Sequence, residues 1–402
     1  YKKWVNAEID KAKASALSEK LNIDAFVAFL LVSRGIDDEL AASEFLSDGC
    51  RFSSPYLLKD MDKAVKRINR ALDDGESICI YGDYDCDGVT STALLYTFLS
   101  ALGGFVSYYI PNRATDGYGM NFKAIDKIKA DGTDLIITVD NGISSIEEYI
   151  YSLGMQLIVT DHHQIGENLP RAEAVINPHR EDNEIEFRDF AGVGVAFKLA
   201  CALYDGDVED LLEDYADYVT IGTIGDMVPL LNENRAIVKS GLKLINTDAK
   251  IGISALKKST NSKAEHFSAT DVAFQICPRI NAAGRMDTAN LAVDLLTCED
   301  NEIAEYKAEQ LNLENTHRHE VEEKIDKDIA EIMANDRAYQ TDRVIVVAGH
   351  NYHKGVIGIC AAHLVELYSK PAIVIGIDDE GNATGSARSI DGFNIFEAIS
   401  NC

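Results

Sequence analysis

The stretch SICIYGDYDCDGVTS, Ser77 to Ser91, sets a short apolar run against three aspartates at alternate positions and closes them with a glycine. Asp83, Asp85 and Asp87 followed by Gly88 match the opening of an EF-hand calcium loop. Such a loop ends in a bidentate glutamate at its twelfth position, and that residue here is Leu94. An EF-hand also needs a helix before the loop, whereas Ser77–Tyr81 is a short, β-rich apolar run. The calcium reading therefore fails on both sides. What remains is a strand that ends in an acidic loop.

Further strands end the same way. From residue 76 onward the runs SICIYGD, FVSYYIPNR, TDLIITVDNG, MQLIVTDHH and AEAVINP alternate with amphipathic segments such as TSTALLYTFLSALGG and FKAIDKIKADG. This alternation predicts βαβ units and an α/β fold with a buried parallel sheet. Ligands of such sheets gather beyond the carboxyl ends of the strands. Asp83, Asp85 and Asp87 follow the first run, Asp140 follows LIITV, and Asp161, His162 and His163 follow LIVT. Strands far apart in the chain thus deliver polar groups to one edge.

The rest of the chain divides around this sheet. Residues 1–75 form an opening helical region, with AFVAFLLVSRG and DKAVKRINRALDDG spaced for helices and stopped by glycine. The sheet domain spans 76–300, and from 190 to 296 it is mainly helical. A charged helix over 301–338 carries a narrow apolar stripe through Val321, Ile325, Ile329 and Ile332. At ~1.5 Å per residue it reaches roughly 50 Å, a strut between domains. Residues 339–402 restart a βαβ unit with DRVIVVAGH, GVIGICAAHLVELYS and KPAIVIGI, a second and smaller α/β domain.

Composition narrows the class. At 402 residues with 46% hydrophobic content the chain is long enough for two or three domains, and no apolar run approaches the ~18–20 residues of a membrane span. The N-terminus has charges but no apolar core of a signal peptide. Eight cysteines without a C-x-x-C pair suggest neither structural zinc nor a disulfide framework, so reduced thiols in the cytoplasm are expected. A formal charge of -28 argues against a generally basic nucleic-acid-binding face, while leaving room for a narrow basic groove. The chain starts at Tyr1, and a fragment of a longer protein is expected.

Carboxylates and imidazoles without thiolates suit Mn²⁺ or Mg²⁺. Two such ions ~3.5–4 Å apart can share a carboxylate, activate a water and neutralise a phosphoryl group under in-line attack. Each residue also has a plainer reading: an aspartate after a strand often caps the next helix, and paired histidines can form a polar turn. The plain readings weaken together, because three strand ends are acidic at once. Asp226 lies in the apolar stretch IGTIGDMVPL, where an unpaired charge is costly and a metal or cation removes that cost.

GDYDCDGVTS, VDNG, DHH and GTIGDMVPL resemble, in order and spacing, the motifs of the DHH phosphoesterase family. KKW, GVGVAFKL, RINAAGR and GSARSIDGFNI extend the resemblance to RecJ-type single-strand-specific exonucleases with an attached DHHA1 domain. The resemblance implies Asp85, Asp87, Asp140, His162 and Asp226 as ligands of two Mn²⁺ or Mg²⁺ ions, with Asp140 as the bridge and Asp83 in the same shell or behind it. It implies that Asp161 orients an imidazole, that His163 lies beside the scissile phosphate, and that a metal-activated water attacks without a covalent enzyme intermediate. Arg113, Arg285, Ser386 and Arg388 match positions that grip the strand or its terminal phosphate, with Arg279 and Lys198 as weaker candidates. Gly-rich AGVGVA offers N–H groups at a helix start.

The function implied is removal of nucleotides from the five-prime end of single-stranded DNA in repair and recombination. A phosphodiesterase of short oligonucleotides or cyclic dinucleotides, or a non-catalytic replisome scaffold, is the alternative. The implied partners are single-stranded DNA, single-strand-binding protein and a helicase, with a monomeric enzyme and no membrane. RecJ-type proteins continue past GSARSIDGF to a glycine-glycine-histidine segment and an OB-fold. The chain stops before both, so an incomplete second domain is expected.

Overall fold

The computed structural model describes residues 8–47, 52–113, 119–144, 146–166, 168–336 and 338–401. Lys2–Trp4, part of the RecJ-like opening, lie outside these residues.

Five strands, β1 (Ser77–Tyr81), β2 (Phe105–Tyr109), β3 (Leu135–Val139), β4 (Gln156–Thr160) and β5 (Ala174–Ile176), pair in the order β2-β1-β3-β4-β5. All four pairings are parallel, with Ile78 opposite both Val106 and Leu135, Leu135 opposite Gln156, and Ile158 opposite Ala174. The near-continuous apolar runs follow from burial on both faces. Ile78, Ile80, Leu135, Ile137 and Ile158 enter one core, whereas Cys79, Tyr81, Ile136, Leu157 and Val159 enter another. The chain leaves β2 on one side of β1 and returns to β3 on the other, which opens a crevice at the β1 and β3 ends.

Three short helices, α1 (Lys11–Leu21), α2 (Ala25–Ser33) and α3 (Glu39–Leu46), precede the sheet. Asp10, Asp24 and Asp38 cap them by accepting backbone N–H bonds. Arg235 ties α3 to the main body through the Phe45 ring, 3.8 Å away, and the Phe45 carbonyl. Helices α4 (Met61–Asp74), α5 (Cys86–Ala101), α6 (Phe122–Ala130) and α7 (Glu147–Ser152) cover the sheet.

The helical half follows as α8 (Gly192–Leu203), α9 (Val208–Gly225), α10 (Asn232–Thr247), α11 (Ile251–Ser259), α12 (Ala269–Asp271), α13 (Cys277–Met286) and α14 (Asn290–Leu296). Between α12 and α13 the helix widens into a π turn over Val272–Ile276, just before Pro278, whose missing N–H interrupts the regular ladder.

The strut is a single helix, α15 (Asn301–Asn335), capped by Asp300. Its apolar stripe serves two cores: Ala304, Ala308 and Leu311 join the large one, and Ile325, Ile329 and Met333 the second. Ile332 sits only at the margin of that second core. The chain ends with α16 (Ala338–Thr341), β6 (Ile345–His350), α17 (Ile357–Tyr368), β7 (Ala372–Ile377), β8 (Ala383–Arg388) and α18 (Ile395–Ser400). β6 and β7 are parallel, and β8 pairs antiparallel with β7. No described helix is long and apolar enough to cross a membrane.

Candidate metal centre and phosphate cleft

Each acidic loop is shaped by its own backbone. Asp85 is the N-cap of α5 and accepts from the N–H groups of Asp87 (2.9 Å) and Gly88 (3.1 Å). The plain capping reading is therefore true, yet Asp85 still brings a carboxylate oxygen to a common cluster with Asp83 and Asp140. Cys86, between two cluster members, turns inward, its thiol directed at the Ile221 carbonyl 3.8 Å away. Its backbone N–H donates to Asn281 Oδ1 at 2.8 Å, which pins the loop to α13.

Asp87 is buried and held by the start of α8: Gly192 N–H donates to Oδ2 at 2.6 Å and Val193 N–H to Oδ1 at 2.8 Å. The glycine-rich helix start does present N–H groups, but it spends them on Asp87. Gly192 is required there, because a Cβ would come within 2.6 Å of the Asp140 Cβ. Asp140 follows β3 in the left-handed region, φ 59°, which a non-glycine residue adopts only under constraint. Asp161 accepts from the N–H groups of His162 (2.8 Å), His163 (3.1 Å) and Ile143 (2.9 Å), and its Oδ1 meets His163 Nδ1 at 2.7 Å. Asp226 caps the C-terminal end of α9 rather than lying inside the helix.

Three overlapping groups result, each with ligand atoms within 4.8 Å of one another: Asp83, Asp85 and Asp140; Asp87, His162 and Asp226; Asp140, His162 and His163. Asp140 and His162 each belong to two. His162 Nε2 lies 3.0 Å from Asp140 Oδ1 and 3.7 Å from Asp87 Oδ2, and its Nδ1 lies 3.8 Å from Asp226 Oδ2.

The electrostatics state what is missing. Burial, then Asp226 and Asp85, drives Asp87 well above the usual carboxylate range, and burial, then Asp87 and its acidic neighbours, does the same to Asp140. Burial and Asp85 push Asp83 up to about 7 and Asp226 up to about 6. Burial and the adjacent His163 bring His162 down to about 4, so it is a neutral imidazole, the ligating form. His163 is raised by its hydrogen bond to Asp161. Asp161 is lowered: burial is the largest influence and works against its charge, but the bond and charge of His163 and the N–H groups of His163 and Ile143 together outweigh it. Oδ1 of Asp83 and Oδ1 of Asp140 are buried without a hydrogen-bond partner. Divalent cations would supply the partner these oxygens lack, and oxygen and imidazole donors without thiolate fit Mn²⁺ or Mg²⁺.

Cations gather beside this cluster. Burial, then Arg113, Arg318 and Arg388, lowers Arg285 to about 10, and Asp85 lies within its field. Arg285 Nη1 donates to the Gly355 carbonyl at 3.1 Å, and among the described residues no carboxylate pairs with it. Ser386 and Arg388 stand on β8 over the first turn of α17, where a Cβ on Gly358 would meet Ser386 Oγ at 3.0 Å and Arg388 Nη2 at 3.2 Å. Arg113 lies over the Tyr84 ring, 5.1 Å from its centroid. Arg113, Arg285, His353 and Lys354 line a cavity of about 320 Å³ between α13 and the loop after β6.

Two weaker candidates find other work. Lys198 is buried and ion-paired with Glu233 at 2.5 Å, while donating to the Ser53 carbonyl, so it is not available to a phosphate. Arg279 bonds Asn312 on the strut and the Gln275 carbonyl. Sequence reasoning missed Arg318, which nothing in the charged strut distinguishes from its neighbours. Arg318 bonds Glu322 (2.6 Å) and Asn315 (2.9 Å), and Glu322 and Asp326 flank His363 of α17. This fourth group of metal-capable side chains joins the strut to α17 through the 2.8 Å hydrogen bond between His363 Nδ1 and Asp326.

Comparison with known proteins identifies the family. The DHH family, N-terminal domain, matches residues 77–223, and the DHHA1 domain matches 341–402. The single-stranded-DNA-specific exonuclease RecJ of Bacillus subtilis is 42% identical over all of this chain, and its Escherichia coli counterpart 37% identical over 85%. The chain spans about half the length of the first (51%) and 62% of the second. A crystal structure of exonuclease RecJ bound to manganese superposes with a TM-score of 0.74 at 32% identity, covering 87% of each chain. RecJ from Thermus thermophilus in complex with Mn²⁺ superposes at 0.81 with 29% identity, covering 98% of this chain and 56% of that one. With buried carboxylates and imidazoles at the sheet edge, arginines beside them and both family domains in order, the chain belongs to the RecJ family of DHH and DHHA1 proteins.

Proposed function

We propose that this chain carries the catalytic part of a metal-dependent nuclease that removes nucleotides from the five-prime end of single-stranded DNA during repair and recombination. The observation that carries the reading is the juxtaposition of the buried acid–imidazole cluster with Arg285, a buried guanidinium with no carboxylate partner among the described residues. An anion that meets both is a phosphate ester.

Asp83, Asp85, Asp87, Asp140, His162 and Asp226 would hold two Mn²⁺ or Mg²⁺ ions, and Asp140 belongs to two of the groups able to do so. When bound, the ions polarise the phosphoryl group and supply an activated water for in-line displacement. The protein residues do the rest. Asp161 fixes the His163 ring through Nδ1, so that Nε2 is presented to the scissile phosphate, and the raised affinity of His163 for a proton lets it stabilise charge developing there. Arg113, Arg285, Ser386 and Arg388 seat the terminal phosphate and align the next bond. The spare N–H groups of AGVGVA orient Asp87 instead of the substrate.

A channel between the units before and after the strut, with divisions near residues 75, 300 and 338, admits one strand and excludes a duplex by width. The intact acidic and imidazole set favours an enzyme over a scaffold. Single-strand-binding protein and a helicase are the partners this reading calls for, and the enzyme acts as a cytoplasmic monomer.

The test incubates the protein with Mn²⁺ and end-labelled single strands, duplexes and dinucleotides. Progressive five-prime loss from single strands alone is expected. Turnover of dinucleotides alone, or tight binding without turnover, overturns the reading.

A further inference from the structure

Tyr84 stands between two cluster aspartates in sequence and between two kinds of charge in space. Its half-buried phenol is raised by burial first, then by Asp83, and lies within the fields of Arg113, Asp85 and Arg285. The Arg113 guanidinium lies 5.1 Å from the centroid of its ring. Its backbone is clamped as well: a Cβ on Gly284, the residue before Arg285, would come within 2.2 Å of the Tyr84 carbonyl oxygen. The metal loop, α13 and Arg113 therefore meet at this one residue.

Arg113 is held by this ring contact. Among the described residues no carboxylate forms an ion pair with it, although its neighbour Asn112 is fixed by a 2.9 Å bond to the Asp287 carbonyl. A free arginine carries several rotatable bonds and loses that freedom on binding an anion. A ring beneath the guanidinium removes part of the loss in advance and leaves its N–H fork free to face a phosphate.

We propose that Tyr84 is a positioning residue that aims Arg113 at the terminal phosphate, so that the same loop that carries Asp83, Asp85 and Asp87 registers whether a phosphorylated end has been seated. The inference rests on the five-prime end recognition proposed above. It requires the aromatic ring and not the hydroxyl.

The experiment measures binding of five-prime-phosphorylated and five-prime-hydroxyl oligothymidylate by fluorescence anisotropy in EDTA, for wild type, Tyr84→Phe, Tyr84→Ala, Arg113→Ala and the Tyr84→Ala/Arg113→Ala pair. Tyr84→Ala should weaken the phosphorylated strand about tenfold while changing the hydroxyl strand by less than about twofold. Tyr84→Phe should behave as wild type, and Tyr84→Ala should cost nothing further once Arg113 is gone. The inference is overturned if wild type does not discriminate the two ends. It is also overturned if Tyr84→Ala weakens both strands equally, the mark of a base-stacking platform, or if the two substitutions simply add. Circular dichroism of Tyr84→Phe and Tyr84→Ala separates these outcomes from misfolding. Hydrolysis in Mn²⁺ is scored separately, so a protein that discriminates ends but does not cleave refutes the nuclease reading and leaves the role of Tyr84 standing.

Discussion

Replacing Asp140 with asparagine should move stability and activity in opposite directions. Asp140 is 2% exposed, its Oδ1 has no hydrogen-bond partner, and Asp83, Asp85, Asp87 and Asp161 all raise the cost of its charge. Asparagine keeps the shape and tolerates the left-handed backbone at φ 59°. In EDTA at pH 8 the substitution removes a buried carboxylate from among like charges and relieves about 1–3 kcal/mol, the scale of desolvating a buried polar group. At ~2–4 °C per kcal/mol for a unit of this size, melting should rise by roughly 2–12 °C.

The pH dependence fixes the sign. Asp226 at about 6 and Asp83 at about 7 titrate above their ordinary values, so the folded cluster retains protons that the unfolded chain has released. The contribution of this cluster to the stability of the metal-free wild type is then greatest below about pH 4 and is lost as pH rises through 6 and 7, whereas in the variant, with one charge fewer, it declines less. The gain should vanish at pH 4.5. In Mn²⁺ the variant's gain is largely or wholly offset, since metal at a hundred times its Kd adds about 2.7 kcal/mol to wild type and little to the variant. Mononucleotide release should fall by about 10³-fold or more, the scale set by removing one preorganised electrostatic group. Thermal unfolding at both pH values with and without Mn²⁺ checks the physics. A variant that melts no higher than wild type in EDTA at pH 8, or that keeps its Mn²⁺ response, refutes the reasoning.

Gly192→Ala places a Cβ 2.6 Å from that of Asp140 and should weaken Mn²⁺ binding about tenfold at a cost of about 1–3 kcal/mol, read by isothermal titration and melting. Arg388→Ala should leave Mn²⁺ affinity unchanged and weaken a five-prime-phosphorylated strand about tenfold, the loss of one charge-assisted contact, read by anisotropy. Glu322→Gln removes the carboxylate shared by Arg318 and His363 and should destabilise the joint between strut and α17 by about 1–3 kcal/mol, seen as a lower melting point with unaltered metal affinity.

The first sheet is readable in the sequence because burial on both faces leaves no room for polar residues inside β1, β3 and β4, so that Asp83, Asp140 and Asp161 announce where each strand stops. The strut is readable for a similar reason: the apolar positions Ala304 to Met333 keep a helical period across 30 residues of charge, although the period does not say that they serve two cores. Pairing is another matter. Asp87 receives its N–H donors from residues 105 and 106 positions away, and Lys198 finds Glu233 through packing that no local pattern records. The antiparallel turn to β8, which brings Ser386 and Arg388 over α17, is likewise a tertiary event. Sequence therefore names the charges, and the fold decides which of them are cancelled. Lys198 is cancelled, Arg318 is half spent on Glu322, and Arg285 is buried with only a carbonyl to hold it. In a chain of net charge -28 an anionic strand is repelled by most of the surface, so an uncancelled guanidinium beside the acidic cluster is where a phosphate gains most by binding.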